Sequence, residues 1–427
     1  MAVMVLIAGW GCVTAQEKPT PIVDGRSTSA SATTAPEPMP GFLERDSLTG
    51  DWGGARPWLA EHGITLKPRV SLFSQGLASA ADGEGFEFGG KSDILLNTDL
   101  SKLGFWNGLS LTVHAEYNFG QSLNQHGGTL TPVNTALQFP GITGGDRFDV
   151  SSFHFDQKFG DAVSLKLGKI NLIDLYASKP FQGGAGIDSF WNLTFAAPPS
   201  GTVPAYLLAA MLSVRTKPAN YSLWIYDPTS VVNKSVFDQP FNDGVTIRGS
   251  VEFPVTIAGR SGHQGLVATY STKNGTDWGT LDDITILPTS SVGIKNDRYY
   301  FGYSFNQYLY QSQSRPKEGV GLFGQVGISD GNPNPLHWSG FVGVGSTGLI
   351  PRRSRDNWGS GYYYDAFSEE LKDSLVTGRL RNEQGWEAFY NFAVTPWLVL
   401  GADVQIIAPA LAGKNAVFAG LRTVIRF

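Results

Sequence analysis

The chain has one cysteine, Cys12, in 427 residues, and it lies in an apolar leader, so the remainder has neither a disulfide framework nor a thiolate site. Charge is also sparse: Asp, Glu, Lys and Arg make up 16% of the residues, against roughly 25% in ordinary soluble domains. Beyond the leader no run of 18 apolar residues occurs, so no helix is expected to cross a membrane. The net charge of −5 carries no basic block with it, which argues against nucleic-acid binding. His62, His114, His126, His154, His263 and His337 form no close ligand pair, so neither a metal nor a cofactor is expected. What the chain does have is 52 glycines and 12% aromatics, a mixture suited to many short strands, tight turns and interfacial rings.

Gly108–Phe119, GLSLTVHAEYNF, shows the pattern that organises the rest. Leu109, Leu111, Val113, Ala115, Tyr117 and Phe119 share one parity, and Ser110, Thr112, His114, Glu116 and Asn118 the other. Successive side chains on a strand point to opposite faces, so the segment has one oily side and one wet side. Its length matches the roughly 9–11 residues a tilted strand needs to cross a bilayer. The same alternation returns in Gly244–Val255, in Arg298–Phe305 and in Val417–Phe427. Arg or Lys facing mid-bilayer lipid costs on the order of 2–4 kcal/mol, so the oily parity must face outward and the charged parity an aqueous lumen.

Met1–Ala15 reads as a signal peptide, and residues 16–45, rich in Pro, Ser and Thr, as a flexible segment unable to bury enough surface to offset its ordering entropy. Residues 46–63 are expected to hold a short periplasmic helix, with Pro57 at its first position and Gly63 as its stop. From 64 to 427 the alternation predicts an all-β, transmembrane antiparallel β-barrel of about 16 strands. Two of the expected strands open at Asp93 and Gly265. Short connections (Gly160-Asp161, Thr395-Pro396) alternate with long ones (Gln121–Asp149, Leu172–Val203, Thr272–Asn296), the arrangement of an outer-membrane barrel. Some long loops are expected to fold inward and narrow the pore. Trp106, Phe159, Trp338, Trp358, Trp386 and Trp397 suit interfacial belts.

Chemical motifs fail on context. Gly327-Ile328-Ser329-Asp330-Gly331 has the letters of a nucleophile elbow but closes a strand instead of opening a helix. The glycine triplets at 319, 321 and 324 and at 343, 345 and 348 match a dinucleotide fingerprint only by letter, with no helix following. The chain is therefore read as non-enzymatic. The pore-lining candidates are Arg69, Asp99, His114, Glu116, Lys166, Arg248, Glu252 and Arg298, with Asp93, Glu387 and Asp403 on the same wet faces. Their mixed signs favour a neutral polar solute over strong ion selectivity, and Trp224 and Tyr226 are candidate flat faces for a sugar ring.

Gly50-Asp51-Trp52-Gly53-Gly54-Ala55-Arg56 followed by Gly63-Ile64 resembles the N-terminal motif of the carbohydrate-selective (glucose, OprB) porins. The resemblance extends through Gly168-Lys169-Ile170, Asn306-Gln307-Tyr308-Leu309-Tyr310, Gly348-Leu349-Ile350-Pro351 and Thr395-Pro396-Trp397-Leu398-Val399-Leu400, covering about Phe42 to Phe427. Asn306 departs from a frequent Asp, and Ala402 and Ile406 from a frequent proline and aromatic. The resemblance implies passive diffusion of glucose and related neutral sugars through an integral protein of the bacterial outer membrane, in contact with its lipid. It leaves open a general or weakly ion-selective porin, and a homo-oligomer.

Overall fold

The computed structural model describes residues 41–427 except 82, 142–145, 230–235, 283–290 and 375–379. The expected signal peptide and all but the end of the Pro/Ser/Thr segment lie outside the described residues. Sixteen strands close into one ring in which every neighbouring pair is antiparallel. They are β1 (Ile64–Ser79), β2 (Gly85–Asp99), β3 (Leu109–Gly120), β4 (Arg147–Phe159), β5 (Val163–Asn171) and β6 (Tyr206–Arg215). Next come β7 (Asn220–Tyr226), β8 (Thr246–Ile257), β9 (Arg260–Ser271), β10 (Arg298–Gln311) and β11 (Gly319–Ser329). The last five are β12 (Leu336–Thr347), β13 (Asn357–Phe367), β14 (Glu383–Ala393), β15 (Leu398–Ala408) and β16 (Ala416–Arg426). β1 pairs with both β2 and β16, Val70 standing opposite Ser92 and Ile425, so the sheet has no open edge.

The alternation read from the sequence sorts the faces. In β9, Leu266, Ala268 and Tyr270 are exposed while Val267, Thr269 and Ser271 are buried. In β10, Tyr299, Phe301 and Tyr303 are exposed and Arg298 and Tyr300 buried. The outward parity thus forms an apolar belt, within which Phe301, Tyr303, Val326, Ile328 and Trp338 border a shallow lipid-side groove. No helix among the described residues is long and apolar enough to cross a membrane.

Two strands begin earlier than alternation indicates. β2 opens at Gly85 and not Asp93, because Gly89 and Gly90 blank the pattern; the Phe119 ring lies over Gly90. β9 opens at Arg260 and not Gly265, its first turns being polar near the rim. The short helix is α1 (Ala55–Glu61), so Pro57 holds its third position and not its first, still within the turn whose N–H groups need no helical partner. Gly63, at φ +85°, ends it. α1 and the segment before it fasten the seam between β1 and β16. Leu48 N–H donates to Arg426 O at 2.8 Å, and the Arg56 guanidinium to Phe427 O at 2.7 Å. Trp397 does not belong to an exposed belt: it is buried against Phe42 and donates to Phe42 O at 2.9 Å.

Candidate functional site

Among the described residues, two of the three long connections enter the barrel. The segment after β3 carries α2 (Thr135–Gln138); the segment after β5 carries α3 (Leu172–Tyr176) and α4 (Leu193–Ala196). Residues 189–205 of the second segment are buried apart from a half-buried Pro204. Such a stretch can leave water only if its backbone groups and rings find partners.

The rings find glycines. A Cβ on Gly420 would lie 2.7 Å from the Trp191 ring, one on Gly359 2.7 Å from Phe190, and one on Gly361 2.5 Å from Phe195. Phe181 occupies the space above Gly321 and Gly345 and packs edge-on against Tyr308 at 4.8 Å. Gly321 and Gly345 belong to the glycine triplets that mimic a nucleotide fingerprint, and their role is to seat a ring of the inner strap. Phe190, Phe195, Phe323, Phe341, Tyr363 and Phe389 form one buried aromatic cluster joining strap to wall.

The backbone groups find wall carboxylates. Glu387 accepts from Trp191 N at 2.5 Å and Asn192 N at 3.2 Å. Glu383, on the same face of β14, accepts from Leu130 N, Thr131 N and Ala410 N at 2.8, 3.1 and 3.2 Å, fixing the first segment. Arg422 donates to Gly186 O and Ser189 O and to Asn391 Oδ1, at 2.7–3.1 Å. Asp188 bridges Arg69 at 3.3 Å and Arg426 at 2.6 Å, and its carbonyl takes Asn357 and Asn391.

On β1–β5 the inward charges pair with each other. Arg69 meets Asp93 at 2.8 Å, Lys169 meets Asp149 at 2.8 Å, Lys166 meets Asp156 at 2.6 Å, and Lys91 pairs with Glu116. His114 sits within 3.4 Å of Asp93 and 3.8 Å of Glu116, and 2.8 Å from Asp174 on α3. Burial opposes the ionised form of Asp174, yet the neighbouring imidazole outweighs it and holds the carboxyl below the usual carboxylate range. A wall of paired charges produces little net field beyond a few ångströms.

The eight sequence candidates fall into three groups. Arg69, His114, Glu116 and Arg248 are engaged in contacts within the wall or with the strap, Arg248 lying 4.1 Å over the Trp224 ring. Asp99 ends β2 and accepts from Ser101 N at 3.1 Å, and Arg298, at the opposite rim, donates to Asn274 O at 3.3 Å. Lys166 and Glu252 keep 20% and 22% of their side chains exposed. Trp224 and Tyr226 offer no open ring face: the first lies under Arg248, and the second is fully buried and donates to Thr202 O. Ser329 donates to Leu336 O at 2.5 Å at the end of β11, with no helix following. No metal-ligating cluster occurs among the described residues.

What sequence reasoning missed is the strap's own contribution. Lys179, whose ammonium lies 5.0 Å over the Tyr176 ring, and Gln182 line one small recess with His263, Ser304, Asn306 and Gln325. Inward polar groups that retain exposure include Asp156 and Lys166 on β4 and β5 and Glu252, His263 and Asn306 on β8–β10, together with Asp174 and Lys179 of the strap; at the β1–β16 seam Arg69 and Arg426 keep 19% and 34% of their side chains exposed beside Asp188. Only the crossing of the strap reveals which inward residues stay wet, so no sequence signal could have selected them.

The fold is that of Pseudomonas putida OprB. The structure of that protein at high pH matches with a TM-score of 0.79 at 19% identity, covering 91% of this chain and 100% of that one. Its low-pH structure matches with a TM-score of 0.55 at 17% identity, covering 90% and 99%. No curated protein sequence matches the chain. The profile described as carbohydrate-selective porin, OprB family, matches residues 85–427, and the chain belongs to that family of outer-membrane sugar porins.

Proposed function

We propose that the protein acts without chemistry or cofactor, as an integral outer-membrane channel through which glucose and similar small neutral sugars diffuse into the periplasm. The observation that carries this reading is the inner strap. It fills the β11–β16 side of the lumen with aromatic rings and leaves polar groups of both signs along the β4–β10 arc. Hydroxyl-rich solutes can exchange hydrogen bonds along such an arc, whereas its balanced charges give an ion of either sign little net attraction. In this reading Lys166 and Glu252 line the path. Arg69, His114, Glu116 and Arg248 stiffen the wall beside it, Asp99 closes a turn at one rim, and Arg298 ties a loop at the other.

Liposome swelling tests the proposal. Glucose should enter faster than gluconate or an amino acid of similar size. Equal or slower sugar entry would favour a general porin of the same architecture.

A further inference from the structure

We propose that a cleft on the outer side of the barrel, at the rim that carries α1, binds the phosphate ester of a glycerophospholipid headgroup, with Arg315 and Arg352 as its anion ligands. The inference is independent of what the lumen carries. The cleft lies between the connection after β10 (residues 312–318) and the connection after β12 (residues 348–356). A bulge in β10 puts it outside. Tyr308 pairs with Gly321 and meets Phe181 of the strap inside the barrel, whereas Tyr310 pairs with Val320, on the opposite parity. Tyr310 is exposed, as is Leu322, the next outward residue of β11.

Both connections are held by their own backbone. Ser312 N–H donates to Glu318 O at 2.9 Å, and Glu318 N–H to Arg315 O at 2.8 Å. Gly348 N–H donates to Asp356 O at 3.0 Å, and Arg353 N–H to Ile350 O at 2.9 Å. Gly348, at φ +68°, lets the second connection pass the Glu318 carboxyl, which lies 2.6 Å from where a Cβ would be. Arg353 is committed elsewhere, bonded to both oxygens of Asp356 at 2.9 Å and lying 3.5 Å over the Phe392 ring. Its neighbour Arg352 is exposed, sits at φ +64°, and pairs with no carboxylate among the described residues. A non-glycine residue kept in the left-handed region is strained, and such strain concentrates where a side chain has to be presented to a ligand.

Tyr310, Ser312, Arg315, Glu318, Arg352 and Ser354 line a cleft of about 350 Å³. One water occupies about 30 Å³ of liquid, so the cleft has room for a glycerophosphate group. Two guanidiniums offer forked donors that match phosphate oxygens, and the serine hydroxyls can donate beside them. Glu318 is taken by Arg315 at 2.9 Å, so the three charges sum to one positive, the complement of one phosphodiester. Leu349 and Ile350, both exposed, add an apolar lip that acyl chains would cover and a free phosphate would not. The rim around the cleft repeats its sign, with Lys158, Arg215, Lys217 and Arg260 exposed and Asp161 the acid among them. Such a border draws anionic headgroups toward the cleft, where the two arginines hold one of them.

Native mass spectrometry of the detergent-solubilised full chain, titrated with dioleoyl phosphatidylglycerol, tests this. The wild type should bind one molecule saturably. Arg352→Gln should raise the dissociation constant about tenfold, the loss expected of one charge-assisted hydrogen bond. Arg315→Gln should raise it at least as far, because it also leaves Glu318 without its partner. Arg260→Gln removes an exposed cation outside the cleft and should change nothing. Heat-modifiable mobility checks that each barrel is folded, and either folded cleft variant is sufficient for the comparison. Absence of saturable binding in the wild type, or unchanged affinity in a folded cleft variant, would overturn the proposal. So would an equal loss in Arg260→Gln, which would reveal general attraction to a positive rim. Equally tight binding of dioleoylglycerol, which has no phosphate, would overturn the phosphate assignment, and equally tight binding of glycerol 3-phosphate would replace the lipid with a soluble ester.

Discussion

Replacing Glu387 with glutamine tests how the strap is held. The glutamate takes two consecutive buried N–H groups, those of Trp191 and Asn192, one on each oxygen. Glutamine has the same volume, so no cavity opens, but it offers one oxygen and one NH2 group. One strap amide keeps its acceptor and the other faces a donor. A buried donor left unsatisfied costs about 1–3 kcal/mol, so opening of the strap around Trp191 should become about 5- to 150-fold more frequent. Hydrogen exchange followed on a peptide containing Trp191 and Asn192 reads that opening directly. Exchange should accelerate by this factor while peptides from β3 and β9 stay as protected as before. Unchanged protection at Trp191 and Asn192 would refute the reasoning, because those amides would then owe their burial to the aromatic contacts alone.

Gly361→Leu would drive a side chain into Phe195, whose ring lies 2.5 Å from the position of a Cβ. The strap should lift there, and single-channel conductance should rise with added noise. Asp174 is anchored to His114 with its ionised form favoured. Its contribution to docking α3 is therefore complete above the ordinary carboxylate pKa and lost as pH falls through the lowered value. Hydrogen exchange of α3, corrected for intrinsic rate, should thus stay flat between pH 6 and pH 5 and accelerate only as pH falls below about 4, and Asp174→Asn should remove that dependence. Arg56→Ala removes the guanidinium that holds Phe427 O, and a loss of about 1 kcal/mol at the β1–β16 seam should appear as a lower temperature of heat modification.

The barrel was legible because membrane strands must alternate over their whole length, and the residues that set register, such as Glu116 beside Tyr117 or Arg422 beside Leu421, leave little room for slippage. Legibility failed where glycine replaced a patterned residue, as at Gly89 and Gly90, and at Pro57, whose place in α1 depends on where the preceding turns stop. The site was legible only by face. Parity put Arg248 and Glu252 on one side of β8, but nothing in the strand says that the first lies over Trp224 while the second keeps solvent contact. That difference is made by the strap, whose anchors Phe181, Phe190, Trp191 and Phe195 follow no period and whose sockets are glycines in distant strands. Read singly, each glycine is only a weak spot in a strand; the pairing exists only in three dimensions.

The most direct measurement is thiol accessibility in open channels. In a Cys12→Ser background, single cysteines would replace Glu252 and Lys166 on the inward parity and Leu266 and Leu167 on the outward one, with a charged, membrane-impermeant thiosulfonate added during recording. Modification at 252 and 166 should cut conductance stepwise, and the reagent should leave 266 and 167 silent. The reverse pattern, with current falling on modification at the leucine positions and unaffected at the others, would contradict a hydrated path along the β4–β10 arc.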